Sequence, residues 1–556
     1  MPLTGPYGFC MPRLGNETTF TQEGHTNNMY NPSLSNNKYF NLWKKANQQW
    51  GHHLTTANAV GLLGAIVTLY CLLALPQLQY WNFRAPLYLI VIVWTILRPR
   101  LAIYLLPLSI AWGSVDTIGA NITLTDILVA SLAASWLMGF PLRPFITRGT
   151  CNGGSLDREP FNIPFPLALS MGTLLFAMLL STTVTTNLTN SIKEIVKWSE
   201  ALIIVLLGTR YLRTQRHVWT LLIMLSLAGL SQAIFGYAQF IFNLGPTSFV
   251  RQDSLRVYGS FGQPNPYAGY INTILSIALA LSLLSNILKI RIISLCIVIP
   301  LAGVEILAQS KGAWLAILAA TLLIIFLGLP QLRVLAHFGL IALLAIVALY
   351  LVGKFPFALI QPILQKIGVI DISFTNPTPD NYANSERLAH WLAGIHMFLD
   401  HPLTGVGIGN YQDLYSQYSL GIFVLPLGHA HNYYINIAAE TGILGLLAFL
   451  FFLTTLFIYN GHVYLVIQKP YQQLLRRLQR PPSATPLAQR QQLFKGLQVL
   501  TNARAITIGL TAALFSICVH NVVDNLYVHA MTDLFALFIT LLIRIKTITL
   551  TDYDLT

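Results

Sequence analysis

Apolar runs of membrane-crossing length recur through the chain, separated by short polar or basic turns. A hydrocarbon core of roughly 30 Å takes about 17–25 apolar residues of helix, because nothing in lipid can pair with an open backbone. The pattern predicts spans near 54–75, 85–98, 100–112, 123–140, 163–183, 193–209, 218–243, 266–288, 292–309, 312–329, 334–352, 436–460, 502–526 and 528–548. The second and third are short and are divided by Arg98-Pro99-Arg100, and the sixth carries Lys193, Glu194, Lys197 and Glu200, which makes it partly interfacial. The expected fold is all-α: a polytopic transmembrane bundle of 12–14 spans with a large extracytoplasmic loop that contains amphipathic helices.

Within that loop, Leu388, Trp391, Leu392, Ile395, Phe398 and Leu399 recur at helical spacing, which predicts an amphipathic helix over 387–401. Asn384 or Ser385 is the expected cap, and Pro402 with the Gly405-Val406-Gly407-Ile408-Gly409 run is the expected stop. Its apolar stripe is expected to lie on the outer leaflet. The glycine run has no preceding strand, so it reads as a turn and not as a dinucleotide loop. Pro264-Asn265-Pro266 reads likewise as a rigid, non-helical lead into the next span.

The most informative stretch is Gly428 to Gly445, which begins polar and runs into an apolar helix. Asn432, Asn436 and Glu440 fall at i, i+4 and i+8 and share one helix face. A carboxylate at the start of a span is costly in lipid, so it is expected to face the bundle interior and to mark a site. Just before it stand His429 and His431, side chains that can move a proton near neutral pH.

Composition narrows the class. Of 556 residues 54% are hydrophobic and only 10% charged, which excludes an ordinary soluble protein. The net charge of +13 therefore concerns membrane orientation and gives no reason to expect nucleic acid. The connection 461–504 holds Lys469, Arg476, Arg477, Arg480, Arg490, Lys495 and Arg504 without one acid, and reads as a basic cytoplasmic loop. Alternation then puts Arg333, Lys289 and Arg291, Arg210, Arg213 and Arg216, Arg143 and Arg148, and Arg98 and Arg100 inside as well, with Arg84 alone against. Both termini are expected in the cytoplasm. The domains follow: a disordered tail 1–50, a first bundle part 51–352, an extracytoplasmic loop 353–435, a last bundle part 436–548 and a short tail 549–556. No cleavable signal peptide is expected before the first span. Cys10, Cys71, Cys151, Cys296 and Cys518 show no CxxC spacing and no disulfide framework in the loop.

Several basic residues fall outside against this trend. Lys311, Arg387 and His431 suit one chemistry if they meet: two cations neutralise phosphate oxygens while an imidazole takes a proton from an attacking hydroxyl. The plainer reading has Lys311 snorkelling, Arg387 paired with Glu386 or Asp400, and His431 capping a helix. Arg251 and Arg256 lie in a second small external loop, 244–265, with Asp253. His429-x-His431 also has the spacing of a metal pair, with His390, His396, Asp400 or His401 as third ligand and nothing in the spacing to choose among them.

Taken together, Gly259-Ser-Phe-Gly-Gln-Pro-Asn-Pro-Tyr-Ala-Gly-Tyr270, Gln309-Ser-Lys-Gly-Ala-Trp-Leu315, Glu386-Arg-Leu-Ala-His-Trp391, Asp400-His-Pro-Leu-Thr-Gly-Val-Gly-Ile-Gly-Asn410, His429-Ala-His-Asn432 and Glu440-Thr-Gly442 are familiar in their order and spacing. The chain resembles, over about residues 54–548, the O-antigen ligase and O-antigen polymerase family of polytopic GT-C-type membrane glycosyltransferases. The resemblance implies an enzyme of the bacterial cytoplasmic (inner) membrane that uses an undecaprenyl-diphosphate-linked glycan as donor and a glycan, lipid or cell-wall polymer as acceptor. It implies no cofactor, no nucleotide sugar and no metal. It gives Arg387 the place of the loop arginine, His431 that of the histidine before the last spans, and Lys311 a place usually held by arginine. That lysine keeps the charge and loses the bidentate fork. His429 and Asn432 match the family's His-x-His-Asn pattern, and Asn436 and Glu440 are expected to orient His431 from below.

Ligase and polymerase cleave the same bond, and only the acceptor separates them. A small-anion transporter, of the kind that carries bicarbonate, is the reading from another class. It would show broken helices and charges at the bilayer midplane in repeated halves, and the chain contains no internal repeat.

Overall fold

The computed structural model describes residues 81–113, 117–118, 122–146, 161–251, 254–334, 337–338, 341, 345, 372–379, 381–479 and 487–552. The expected span near 54–75, most of that near 334–352, the tail 1–50 and the loop stretch 353–371 lie outside them, as do Asp253 and Asp380. The described residues belong to one compact unit, Gly64–Thr556.

The described part is all-α, with two short antiparallel ladders, Thr117–Ile118 on Ile122–Thr123 and Val250–Arg251 on Ser254–Leu255. Its helices in chain order are α1 Trp81–Leu97, α2 Pro99–Trp112, α3 Leu124–Ile146, α4 Phe165–Ser181, α5 Leu188–Tyr211, α6 Gln215–Ile241 and α7 Pro264–Leu284. There follow α8 Leu288–Leu307, α9 Lys311–Gly328, α10 Tyr382–Asp400, α11 Tyr411–Tyr418, α12 Tyr433–Leu478, α13 Leu487–His520 and α14 Met531–Asp552. Every apolar run read from the sequence in this part is a helix, and among the described residues 7 helices are long and apolar enough to cross a membrane. Pro99 opens α2 directly after Arg98 leaves helical geometry, so the paired short runs are two helices.

Burial orders the bundle. In α7 and in Gln489–His520, 83% of the apolar window is buried, against 22% in α8 and 28% in α9. The first two helices therefore form the centre and the last two the lipid-facing edge. Nearly all of Leu534–Ile545 in α14 is buried beside them.

The basic stretch 461–504 differs from a simple loop. α12 continues to Leu478 and α13 begins at Leu487, so the chain is helical over 461–478 and 487–504. Leu, Gln and Arg dominate these segments and favour helix, and the prolines 481, 482 and 486 fall between them. Arg504 ties the hairpin to the bundle: Nε donates to Gln468 Oε1 at 2.6 Å, and Nη2 donates to the Leu327 and Gly328 carbonyls at 2.8 and 2.9 Å.

α10 also departs from its pattern. It starts at Tyr382, a turn before the expected caps, and buries Ser385, Ala389, His390, Ala393, Gly394 and Met397. Ile395 and Leu399, of the apolar stripe expected to lie on the outer leaflet, are exposed. Small residues set the closest approach: a Cβ on Gly394 would lie 2.7 Å from Ile435 Cγ2, so at this point α10 has no room for a larger side chain against α12. The larger apolar side chains are left for the surroundings to cover.

Candidate active site

The site is assembled at one end of the bundle by four loops. α6 clamps the first of them. Gln239 Oε1 accepts the Tyr258 and Gly259 N–H groups at 3.1 and 2.9 Å, and Gln232 Oε1 accepts that of Ser260 at 3.1 Å. The same loop is tied to the α8–α9 junction, where Val257 N–H reaches the Leu307 carbonyl at 3.2 Å and Arg256 Nε reaches that of Ala308 at 3.2 Å. Arg256 is thereby brought next to the start of α9, which is Lys311.

A second loop comes through backbone-to-backbone packing. Gly442 breaks α12 with φ +66, and a Cβ there would lie 2.3 Å from the Leu403 carbonyl carbon. Gly405, also at φ +66, meets the Glu440–Thr441 peptide in the same way. Val406 and Gly407 N–H groups then bond to the Ala439 and Glu440 carbonyls at 2.9 and 3.0 Å. The glycine run is a turn, as its spacing predicts. The Glu440 carboxylate accepts the Tyr411 N–H at 3.2 Å, so its observed work is to hold this turn and not the His431 ring.

His429 and His431 are placed by the start of α12. Asn432 caps the helix, its Oδ1 accepting Tyr434 and Ile435 N–H at 2.9 and 3.1 Å. Asn436, one turn on, accepts the Ala430 N–H at 3.0 Å. Trp391 Nε1 on α10 donates to the His431 carbonyl at 3.0 Å. Between these anchors His431 adopts φ +51, a left-handed conformation that is uncommon for a side chain of this size and typical of strained functional positions.

The partner of His431 comes from the turn between α13 and α14. Asp524 Oδ1 lies 3.3 Å from His431 Nδ1, and Asn265 Nδ2 donates to Asp524 Oδ2 at 2.7 Å. Arg256 Nη2 donates in turn to Asn265 Oδ1 at 3.3 Å. A carboxylate only accepts, so Nδ1 carries the His431 proton and Nε2 is left as the basic atom. Burial raises the Asp524 carboxyl, but the hydrogen bond from His431 and the charges of His429, His431 and His520 outweigh it and hold Asp524 well below the usual carboxylate range.

His429 and His390 stay neutral beside this pair. Burial, with the His431 charge, brings His429 down to about 4; burial, with the charges of His431 and His429, brings His390 to about 3. His390 stacks on Tyr415 at 4.2 Å and meets His431 edge to face at 5.5 Å.

The cations gather here too. The charge of Arg387 bears on Lys311, Arg256, His429 and His520, and that of Arg251 on Lys311 and Arg256. Burial, then Arg251 and Arg387, lower Arg256 to about 10, which leaves it charged at neutral pH. Gly312 sets the approach of α9: a Cβ there would lie 3.0 Å from the His520 ring. Lys311 therefore begins its helix against the end of α13, four residues before Asp524.

His429, His431 and Asp524 place three possible metal ligands within 4.8 Å of one another. The candidates His390, His396, Asp400 and His401 are not in that group. The tautomers oppose ligation. His429 Nδ1 accepts the His431 N–H at 3.1 Å, so its neutral ring carries a proton on Nε2, the atom that faces Asp524 at 3.9 Å. An ion would require that proton to move and that backbone bond to break.

The arrangement is one basic imidazole oriented by a buried carboxylate, to which Arg256 is linked through Asn265. Residues 295–450 match the family model described as O-Antigen ligase. The match takes in Lys311, Arg387, His429, His431, Asn432, Asn436 and Glu440, and leaves out Arg251, Arg256, Asn265 and Asp524. No curated protein matches the chain. The chain is thus a polytopic helical protein with a partial O-antigen ligase-family domain, in keeping with that general class of membrane glycan-handling enzymes.

The spacing along the chain gives neither Asn265 nor Asp524 a role in the site. The available signals were a polar residue between two prolines, and a lone acid in the turn His520-Asn-Val-Val-Asp-Asn525.

Proposed function

We propose that the protein is a metal-independent, inverting membrane glycosyltransferase that moves a glycan from undecaprenyl diphosphate to an acceptor hydroxyl, as an O-antigen ligase does. The observation that carries this reading is the chain Arg256–Asn265–Asp524–His431, which joins a phosphate-binding cation to an oriented base. The site end of the bundle faces outward in this reading. Arg98, Arg100, Arg213, Arg216, Lys289 and Arg291 all lie at the opposite helix ends, which supports it.

In the reaction, Lys311, Arg387, Arg251 and Arg256 neutralise the donor diphosphate. The acceptor oxygen attacks the anomeric carbon in line while the bond from that carbon to the phosphate oxygen breaks. The hydroxyl proton passes to His431 Nε2, and undecaprenyl diphosphate leaves with the bond's electron pair. Asp524 stabilises the imidazolium that forms and keeps its tautomer. His429, Asn432 and Asn436 hold the loop that presents His431, and Glu440 holds the turn behind it.

The test is transfer in vesicles loaded with a lipid-diphosphate-linked glycan. His431→Ala is expected to abolish transfer at unchanged protein abundance, and Asp524→Asn to lower it by about 10²–10⁴-fold through the wrong tautomer. Transfer at the wild-type rate by His431→Ala would remove the base from the mechanism. Elongated lipid-linked product in place of glycan on a separate acceptor would make the enzyme a polymerase using the same chemistry.

A further inference from the structure

At the end of the bundle opposite His431, three helices that pack on one another carry arginines whose charges act on a single imidazole. Arg100 is the second residue of α2, Arg216 and His217 open α6, and Arg544 lies in the second half of α14. The 27 residues of α6 span about 40 Å, so this cluster is a membrane thickness from the loop that carries Arg256.

The turn fixes the imidazole. His217 Nδ1 accepts the Arg213 N–H at 3.0 Å, and Arg213 Nε donates to the Arg210 carbonyl at 2.9 Å, closing the end of α5. With Nδ1 as acceptor, the neutral His217 ring carries its proton on Nε2 and offers a donor. The charges of Arg100, Arg216 and Arg544 bear on this ring, and those of Arg100 and Arg216 also bear on Tyr104. Among the described residues neither Arg100 nor Arg216 makes an ion pair with a carboxylate. Arg216 is exposed, and Arg100 and His217 are half-buried, so the group opens to the membrane surface.

Orientation of the protein requires positive charge near one surface, but it does not require residues 100, 216 and 544 to sit on helices that pack together at one end. Guanidinium groups cannot accept hydrogen bonds, and their mutual repulsion falls when an anion lies among them.

We propose that this cluster binds a phosphate-bearing anion, supplied by the headgroup of an acidic phospholipid in the adjoining leaflet. Arg100 and Arg216 grip phosphate oxygens through their planar forks, and His217 adds an Nε2–H donor. Basic pockets between membrane helices are suited to such headgroups.

The experiment uses the full chain in nanodiscs of phosphatidylcholine with and without phosphatidylglycerol, read by native mass spectrometry and thermal unfolding. The wild type is expected to retain phosphatidylglycerol and to melt higher in its presence. Arg100→Gln with Arg216→Gln is expected to lower retention by about 30-fold, two cationic contacts at the surface. Arg291→Gln, at another basic turn of the same end, is expected to leave retention unchanged. If the double variant does not purify as one species, Arg216→Gln alone, at an exposed position, carries the test. Equal retention by wild type and variant overturns the proposal, as does an equal loss with Arg291→Gln. Protection of the wild type by inorganic phosphate, without preference for phosphatidylglycerol, keeps the anion site and overturns the lipid as its source.

Discussion

Asn265 Nδ2 donates to Asp524 Oδ2 at 2.7 Å, joining two residues 259 positions apart in sequence. The amide has its other side on Arg256, so one asparagine holds the carboxylate that orients His431 and the guanidinium above it. Asn265→Ala removes both bonds and leaves a buried carboxylate oxygen short of a donor. The expected loss in kcat lies between about 5- and 150-fold, the range for one unmet buried hydrogen bond. Steady-state transfer measures it, with kcat falling and the donor KM moving less. A change in KM alone would make Asn265 a binding residue and separate it from the base.

Arg387 and Lys311 carry the same charge and present it differently. Arg387→Lys keeps a point charge and loses the fork, so donor KM is expected to rise by about 10-fold, while Arg387→Ala costs more. Lys311→Arg is expected to be tolerated. Both effects should grow at low ionic strength, where a diphosphate held by these cations would be least screened. A donor KM indifferent to all three substitutions would put the phosphates elsewhere.

Acid should unfold the site before it unfolds the bundle. His429 and His390 have folded values of about 4 and about 3, below the usual value of a free histidine near 6.5. The folded protein therefore binds fewer protons than the unfolded chain between these limits, and stability falls as pH drops below about 6.5, down to about 4 for the share of His429 and about 3 for that of His390. Together the two rings are expected to cost on the order of a few kcal/mol. Thermal unfolding in detergent from pH 7 to pH 4.5 reads this as a falling midpoint. His390→Phe, with its ring stacked on Tyr415, is expected to make the fall shallower by the His390 share and to leave that of His429; an unchanged slope would remove His390 from the effect.

Gly442 allows α12 to break beside Leu403. A methyl group there meets the Leu403 carbonyl and must also adopt φ +66, so Gly442→Ala is expected to destabilise by about 1–3 kcal/mol. Lower thermal midpoint and lower transfer should appear together, because the displaced loop carries the turn that Glu440 holds. A variant as stable as the wild type would mean that the loop rearranges without strain.

Much of this protein was open to reading from its sequence, for a reason particular to membranes. Lipid cannot hydrogen-bond a backbone, so each crossing declares itself as an apolar helix of fixed length, and Arg98-Pro99-Arg100 or Lys289 to Arg291 declares where one ends. Lys311, Arg387 and His431 stood out because charged and titratable residues are rare in such a chain. What only the folded structure decided is which groups meet. Asp524 and Asn265 are single polar residues at helix ends, with no periodicity to mark them, and their pairing arises because α7 and α13 pack together at the bundle centre. The buried face of α10 was decided in the same way: the spacing of Leu and Ile names an apolar stripe, but the face that packs inward is the one with Ala389, Ala393 and Gly394, which leaves no room for a side chain at Gly394. Length and polarity are properties of a segment alone. Packing and hydrogen-bond partnership depend on what lies opposite, and a single chain written in order does not say what that is.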